Sequence, residues 1–202
     1  MKISPNYYDT DWNALNLTKN YSTDWEEGAN IVRDRIHGRY LAQIETLENH
    51  LDDEIWEYSG FLIIAVDCMV IETLNQFYLG IEDTNQVYSR RNRESFRDFF
   101  NRSQFFNAHF DDDRSFIFYD HIRNGLLHQA QTKKDTLINF REPEMVKQVN
   151  PTNIEDGIIV NRSLFHESLF NELNSYIEKL KTDETAHDTL REKIICKMST
   201  IC

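Results

Sequence analysis

Between Phe61 and Leu74 the chain reads FLIIAVDCMVIETL, which on a helix leaves almost no polar side. A helix of that kind is stable only when neighbours surround it, so the remaining segments must supply a cover. The stretch predicts a central helix from about 53 to 79, with Gly80 as its stop. Asp67 and Glu72 lie inside it. A carboxylate there is costly unless it is paired, which leaves two placements open: a partner within the bundle, or a position at the rim near water.

The cover is itself helical, and the expected fold class is all-α: a bundle of four to five helices. Thr23 followed by Glu26 reads as a capping box, and Val32, Ile36, Tyr40, Ile44, Leu47 and Leu51 form one apolar stripe ending near His50. An arginine-rich helix is expected over about 90–107, and a further helix from Asp112 or Asp113, capped by FDDDRS, to about Gln131. The segments TKKDTLINF, EMVKQVNPTN and GIIVNRS favour β structure and are set off by Pro143, Pro151 and Gly157. They predict a small hairpin or extended excursion before a last long helix at about 161–181. Residues 1–21 read as an irregular arm packing through Tyr7, Tyr8, Trp12 and Leu15. Residues 22–181 form the helical domain, and 182–202 a tail with a short, partly frayed helix. A chain of 202 residues suits one core with such appendages.

Lys and Arg number 22 against 34 Asp and Glu, a formal charge of -12. That argues against broad adhesion to nucleic acid or an anionic membrane, though a local basic cleft is still compatible with it. In the most basic stretch, SRRNRESFRDFFNR, arginines alternate with Phe96, Phe99 and Phe100 as on an amphipathic helix, Arg outside and Phe inside. The start, MKISPNYYDTDWNAL, has no apolar signal core, and the longest apolar run is interrupted by carboxylates and shorter than the roughly twenty residues a membrane helix requires. A cytoplasmic protein with no membrane partner is expected. Cys68, Cys196 and Cys202 form no C-x-x-C pair, and FDDDRS lacks the spacing of a calcium loop. With no glycine-rich phosphate loop and no G-x-S-x-G elbow either, no metal site and no cofactor are expected.

One short segment carries chemistry. In DHIRNGLLHQ, residues 120–129, helical spacing turns Phe116, Tyr119, Ile122 and Leu126 inward and sets Asp120, Asn124 and His128 in a polar stripe, with His121 beside it and Arg123 flanking. Arginine and imidazole roughly one and a third turns apart can bridge a phosphate if the stripe faces a cleft. Arg102 to His109 and Arg114 to His121 have a comparable separation, but Ser103 and Ser115 follow those arginines where Asn124 follows Arg123. Arg162 and His166, four apart at the start of the last helix, fit RNA contact about as well as simple solvation.

Arg123-Asn124-x-x-x-His128, late in an all-helical chain, resembles the signature of the HEPN superfamily: arginine, then four to six residues, then histidine, with Asn, Asp or His after the arginine. The resemblance spans about 22–181 in helical plan and rests closely on about twelve residues. It implies a HEPN-like bundle and a metal-independent endoribonuclease leaving cyclic phosphate ends, in a toxin, abortive-infection or other phage-defence setting. Arg123 and His128 are then catalytic, Asn124 supports them, and Asp120 and His121 are candidates for substrate contact, although His121 and His109 also read as structural. RNA is the implied substrate and an antitoxin or defence-system protein an implied partner. A homodimer follows because in-line cleavage profits from an acid and a base on opposite sides. The alternative is a noncatalytic HEPN-like module that binds a protein or a nucleic acid. Some HEPN toxins carry a modifiable Tyr two places after the histidine; Ala130 stands there, which argues against regulation by that route.

Overall fold

A computed structural model describes residues 1–202. Helix α1 is Asp9–Asn13. Helix α2 runs over 24–48 as Asp24–Arg33, a π-helical stretch Asp34–Leu41, and Ala42–Glu48. Next come α3 (Asp53–Tyr58), α4 (Gly60–Leu79), α5 (Asn85–Tyr88) and α6 (Asn92–Arg102). Helix α7 covers 112–129 as Asp112–Ile117, π-helical Phe118–Arg123 and Asn124–Gln129. Three short strands follow: β1 (Leu137–Asn139), β2 (Val146–Gln148) and β3 (Ile158–Asn161). The chain ends with α8 (Arg162–Lys181) and α9 (Asp188–Ser199). The molecule is thus mostly helical, with a small sheet before the last long helix.

Helix α4 is the hub, packed by α2, α6, α7, α8, α9 and β1. Its Ile64, Ile71, Leu74 and Phe77 are fully buried. A knot of phenylalanines closes one end of the core, with Phe100 stacked on Phe110 at 4.0 Å and Phe118 on Phe165 at 5.0 Å between centroids. In α6 the expected division holds: Phe96, Phe99 and Phe100 are buried, and Arg93 lies over Phe116.

Several boundaries depart from the sequence reading, each for a local reason. The capping box is absent, because Thr23 already has helical φ and ψ and its side chain caps nothing. Helix α2 stops at Glu48, so Leu51 falls past its end and is 98 % exposed. The single helix expected over 53–79 is broken at Ser59: Arg162 donates from Nη1 to the Glu57 carbonyl at 2.9 Å and from Nη2 to that of Trp56. It thereby satisfies the free carbonyls at the end of α3. Gly60 makes room for it, since a Cβ there would stand 3.0 Å from Arg162 Nη1. The arginine-rich helix is shorter than expected, ending at Arg102.

The excursion is a three-stranded sheet ordered β1-β3-β2, not a lone hairpin; β3 pairs antiparallel with β2 and parallel with β1. The two ends of the chain are equally built in. Ile3 and Trp12 from the arm, and Ile194 and Met198 from the tail, share one apolar cluster with the bundle. Tyr8, expected to pack, is half exposed, while the tail helix is seated on α4 rather than frayed. Helix α4 itself, with 20 residues of mean hydropathy 1.5, has the length and composition of a membrane span, yet half of that stretch is buried inside the bundle.

Candidate functional site

Helix α7 is capped by Asp111, whose carboxylate accepts from the Arg114 N–H at 2.8 Å. Its middle turns are π-helical, a wider winding that often accompanies functional sites. The extra residue per turn rotates the inner face. Ile117, Phe118, Ile122 and Leu126 are buried, whereas Phe116 and Tyr119, expected inside by α-helical spacing, are half-buried. The helix stops at Ala130 in the left-handed conformation (φ 52°), and the chain folds back so closely that a Cβ on Gly125 would lie 2.4 Å from the Gln131 carbonyl oxygen. Gly125 is therefore required by the end of this helix.

Of the expected site residues, the structure brings Arg123, Asn124 and Asp120 into one network. Glu72, from the centre of α4, accepts from Arg123 Nε at 2.8 Å and stands 2.8 Å from Nη2. Arg123 Nη1 donates to Asn124 Oδ1 at 3.2 Å, and Asn124 Nδ2 reaches Asp120 Oδ1 at 3.4 Å. The Tyr119 ring lies 5.4 Å below the guanidinium. Arg123 keeps 16 % of its side-chain surface exposed, and each Nη carries a second N–H beyond the one turned to Glu72 or Asn124. Glu72, one of the two carboxylates that sequence placed in the core or at its rim, thus has its partner.

His128 stands apart. It is exposed at the last turn of α7 and takes part in no side-chain hydrogen bond or ion pair. Five residues at 100° each place it about 140° around the helix from Arg123. Leu127 beside it is 52 % exposed. None of the molecule's cavities is lined by Arg123, Asn124 or His128.

His121 does not share that edge. It is buried, with Nδ1 3.0 Å from Thr136 Oγ1, and its carbonyl accepts from the Lys133 N–H at 3.0 Å. Burial, helped by the nearby Lys134 charge, holds its pKa below the usual imidazole value. The ring fastens the loop after α7 to the helix, as a structural histidine does. With Asp120 it lines a crevice of about 150 Å³ that also includes Arg93, Asp113 and Glu155.

Arg162 and His166, expected either at RNA or in solvent, are instead buried and paired with carboxylates, a second constellation that sequence reasoning did not assemble. Asp67, completely buried in α4, lies 2.9 Å from Nδ1 of His166 in α8. Burial works against a charged ring, but the bond to Asp67 and the charges of Asp67, Glu48 and Glu45 outweigh it and raise the His166 pKa. Arg162, one turn earlier, stands 3.3 Å from Glu48, whose other oxygen accepts from Ser163 Oγ at 2.9 Å. The signal was present in the sequence: a carboxylate in an apolar run needs a partner, and Arg162 and His166, four apart, share a helix face. No three His, Cys, Asp or Glu side chains converge as a metal-binding group.

Comparison of the chain with protein-family models, with curated proteins and with solved structures finds no match.

Proposed function

We propose that the chain is a metal-independent endoribonuclease of the HEPN type, cytoplasmic, acting as a homodimer in a toxin or phage-defence setting. The observation that carries this reading is the asymmetry of the motif: Arg123 is fixed by Glu72 and Asn124, while His128 on the same short helix is exposed and unpartnered. A clamped guanidinium is pre-oriented for phosphate, and an exposed imidazole with no internal partner is free to exchange a proton with a substrate.

In the proposed reaction His128 removes the proton from a ribose 2′-hydroxyl. The oxygen attacks phosphorus, the bond to the 5′-oxygen breaks, and the partner subunit's His128 protonates that leaving oxygen. The products are a 2′,3′-cyclic phosphate and a 5′-hydroxyl. Arg123 steadies the charge gathering on the non-bridging oxygens. Support for a second copy comes from exposed apolar side chains on the two helices that carry the motif and its carboxylate partner: Leu127 on α7, and Leu62 and Met69 on α4. Large exposed apolar groups on adjoining elements mark interaction surfaces.

The test is incubation of RNA with the protein in EDTA. Cyclic phosphate ends are expected from the wild type and at least about 10²-fold fewer from His128→Ala; equal cleavage by the two removes the assignment. One observation favours the noncatalytic reading, in which the bundle binds a protein or nucleic acid: no cavity encloses the motif within one subunit. The two readings separate by mass. A monomer with no cleavage supports the binding module, and a dimer whose cleavage depends on Arg123 supports the nuclease.

A further inference from the structure

Between the end of α2 and the start of α8 lies a crevice of about 370 Å³, bordered by Glu45, Glu48, Ser163, His166, Glu167 and Phe170. Its position follows from helical spacing: 163, 166, 167 and 170 share one face of α8, and 45 and 48 share one face of α2. The His166 ring belongs to its wall. His166 is 6 % exposed; Nδ1 is held by Asp67, and Nε2 is buried with no hydrogen-bond partner from the protein. Nδ1 faces Asp67 in α4, which leaves Nε2 on the other side of a ring that forms part of the crevice wall. A histidine so placed resembles one oriented for a ligand, because an unmatched buried nitrogen costs free energy unless something comes to meet it.

Charge selects the class of ligand. Glu45, Glu48 and Glu167 ring the opening and Asp67 lies behind the imidazole. Among these, Glu48 is occupied by Ser163 and Arg162, and Glu45 touches only His37, at 3.3 Å. Glu167 is exposed and forms no ion pair. An anion, RNA phosphate included, is repelled from such a mouth, whereas a cation is drawn in. Phe170 adds a ring against which a flat cation can lie.

We propose that this crevice is a binding site for an organic cation bearing a guanidinium, held by Glu45 and Glu167, with one N–H donated to His166 Nε2 when that ring is neutral and Nδ1–H is given to Asp67. The site is independent of the Arg123–His128 edge and has no part in RNA cleavage. The same cation could be a free small molecule or the arginine of a peptide.

Titration calorimetry of the whole protein with L-argininamide at low ionic strength tests it. Saturable one-to-one binding is expected, with L-norvalinamide, which lacks the guanidinium, binding about ten-fold or more weakly. The double variant Glu45→Gln/Glu167→Gln alters partly or fully exposed groups, so the fold is retained and affinity drops about ten-fold. His166→Gln weakens binding as well, read alongside circular dichroism. A Gly-Arg-Gly amide binding more tightly than argininamide assigns the site to a peptide arginine, and weaker binding assigns it to a free cation. Absence of saturable heat overturns the proposal, as does equal affinity for norvalinamide or for the double variant.

Discussion

The chain holds two arginine–histidine pairs on helices, and they differ by one residue of spacing. Arg162 and His166 are four apart, so both face the core; each meets a carboxylate, Glu48 and Asp67, and both are almost fully buried. Arg123 and His128 are five apart, so the helix turns one inward to Glu72 and the other out to solvent. The first pair holds the bundle together. The second is left with a tethered guanidinium and a free imidazole. Residue type alone would not distinguish them, and the angle between the two side chains does.

The contrast is broken most severely at Arg162. Arg162→Met removes two bonds to the α3 carbonyls and leaves Glu48 without its cation, at a cost of about 3–5 kcal/mol in urea unfolding. If the pair at 162–166 were a surface feature, the loss would be under about 0.5 kcal/mol. His128→Ala should behave in the opposite way: cleavage falls about 10²- to 10⁴-fold while the unfolding midpoint stays put. A large change in stability would mean that His128 is structural after all.

Smaller effects sharpen the same division. Asp67→Asn takes the charge from the buried pair and should cost about 2–3 kcal/mol, with RNA cleavage unaffected once the protein is folded. Glu72→Gln is expected to cost about 1 kcal/mol and to lower cleavage about ten-fold by loosening Arg123; a kcat effect with unchanged KM would mark it as a positioning residue. The weakest signal is the dependence on pH. The His166 pKa is raised in the folded chain, so its contribution is complete below the ordinary value of 6.5 and is lost as pH rises through the folded value. Unfolding free energy should therefore decline with rising pH across that window, and His166→Gln should flatten the slope.

What sequence could and could not reveal follows from range. Periodicity located the central helix, the last helix and the inward Phe of α6, because those depend on neighbours three or four residues away. It also flagged Asp67 and Glu72 as needing partners. It could not supply His166 and Arg123, which lie 99 and 51 positions further on. The π-helical turns of α7 defeated it differently: a 3.6-residue period misplaced Phe116 and Tyr119 and set His121 on the wrong side. The Arg123, Asn124 and Asp120 network was legible as a stripe, but its tie to Glu72 was not. The β excursion was visible as β-rich text, and its parallel pairing was not, since register is set between strands.

The seating of α9 on α4 has a consequence for handling the protein. Trimming residues 188–199 in search of a minimal fragment would strip cover from a rod whose length and oiliness match a lipid bilayer. Such a fragment should leave solution for detergent or vesicles.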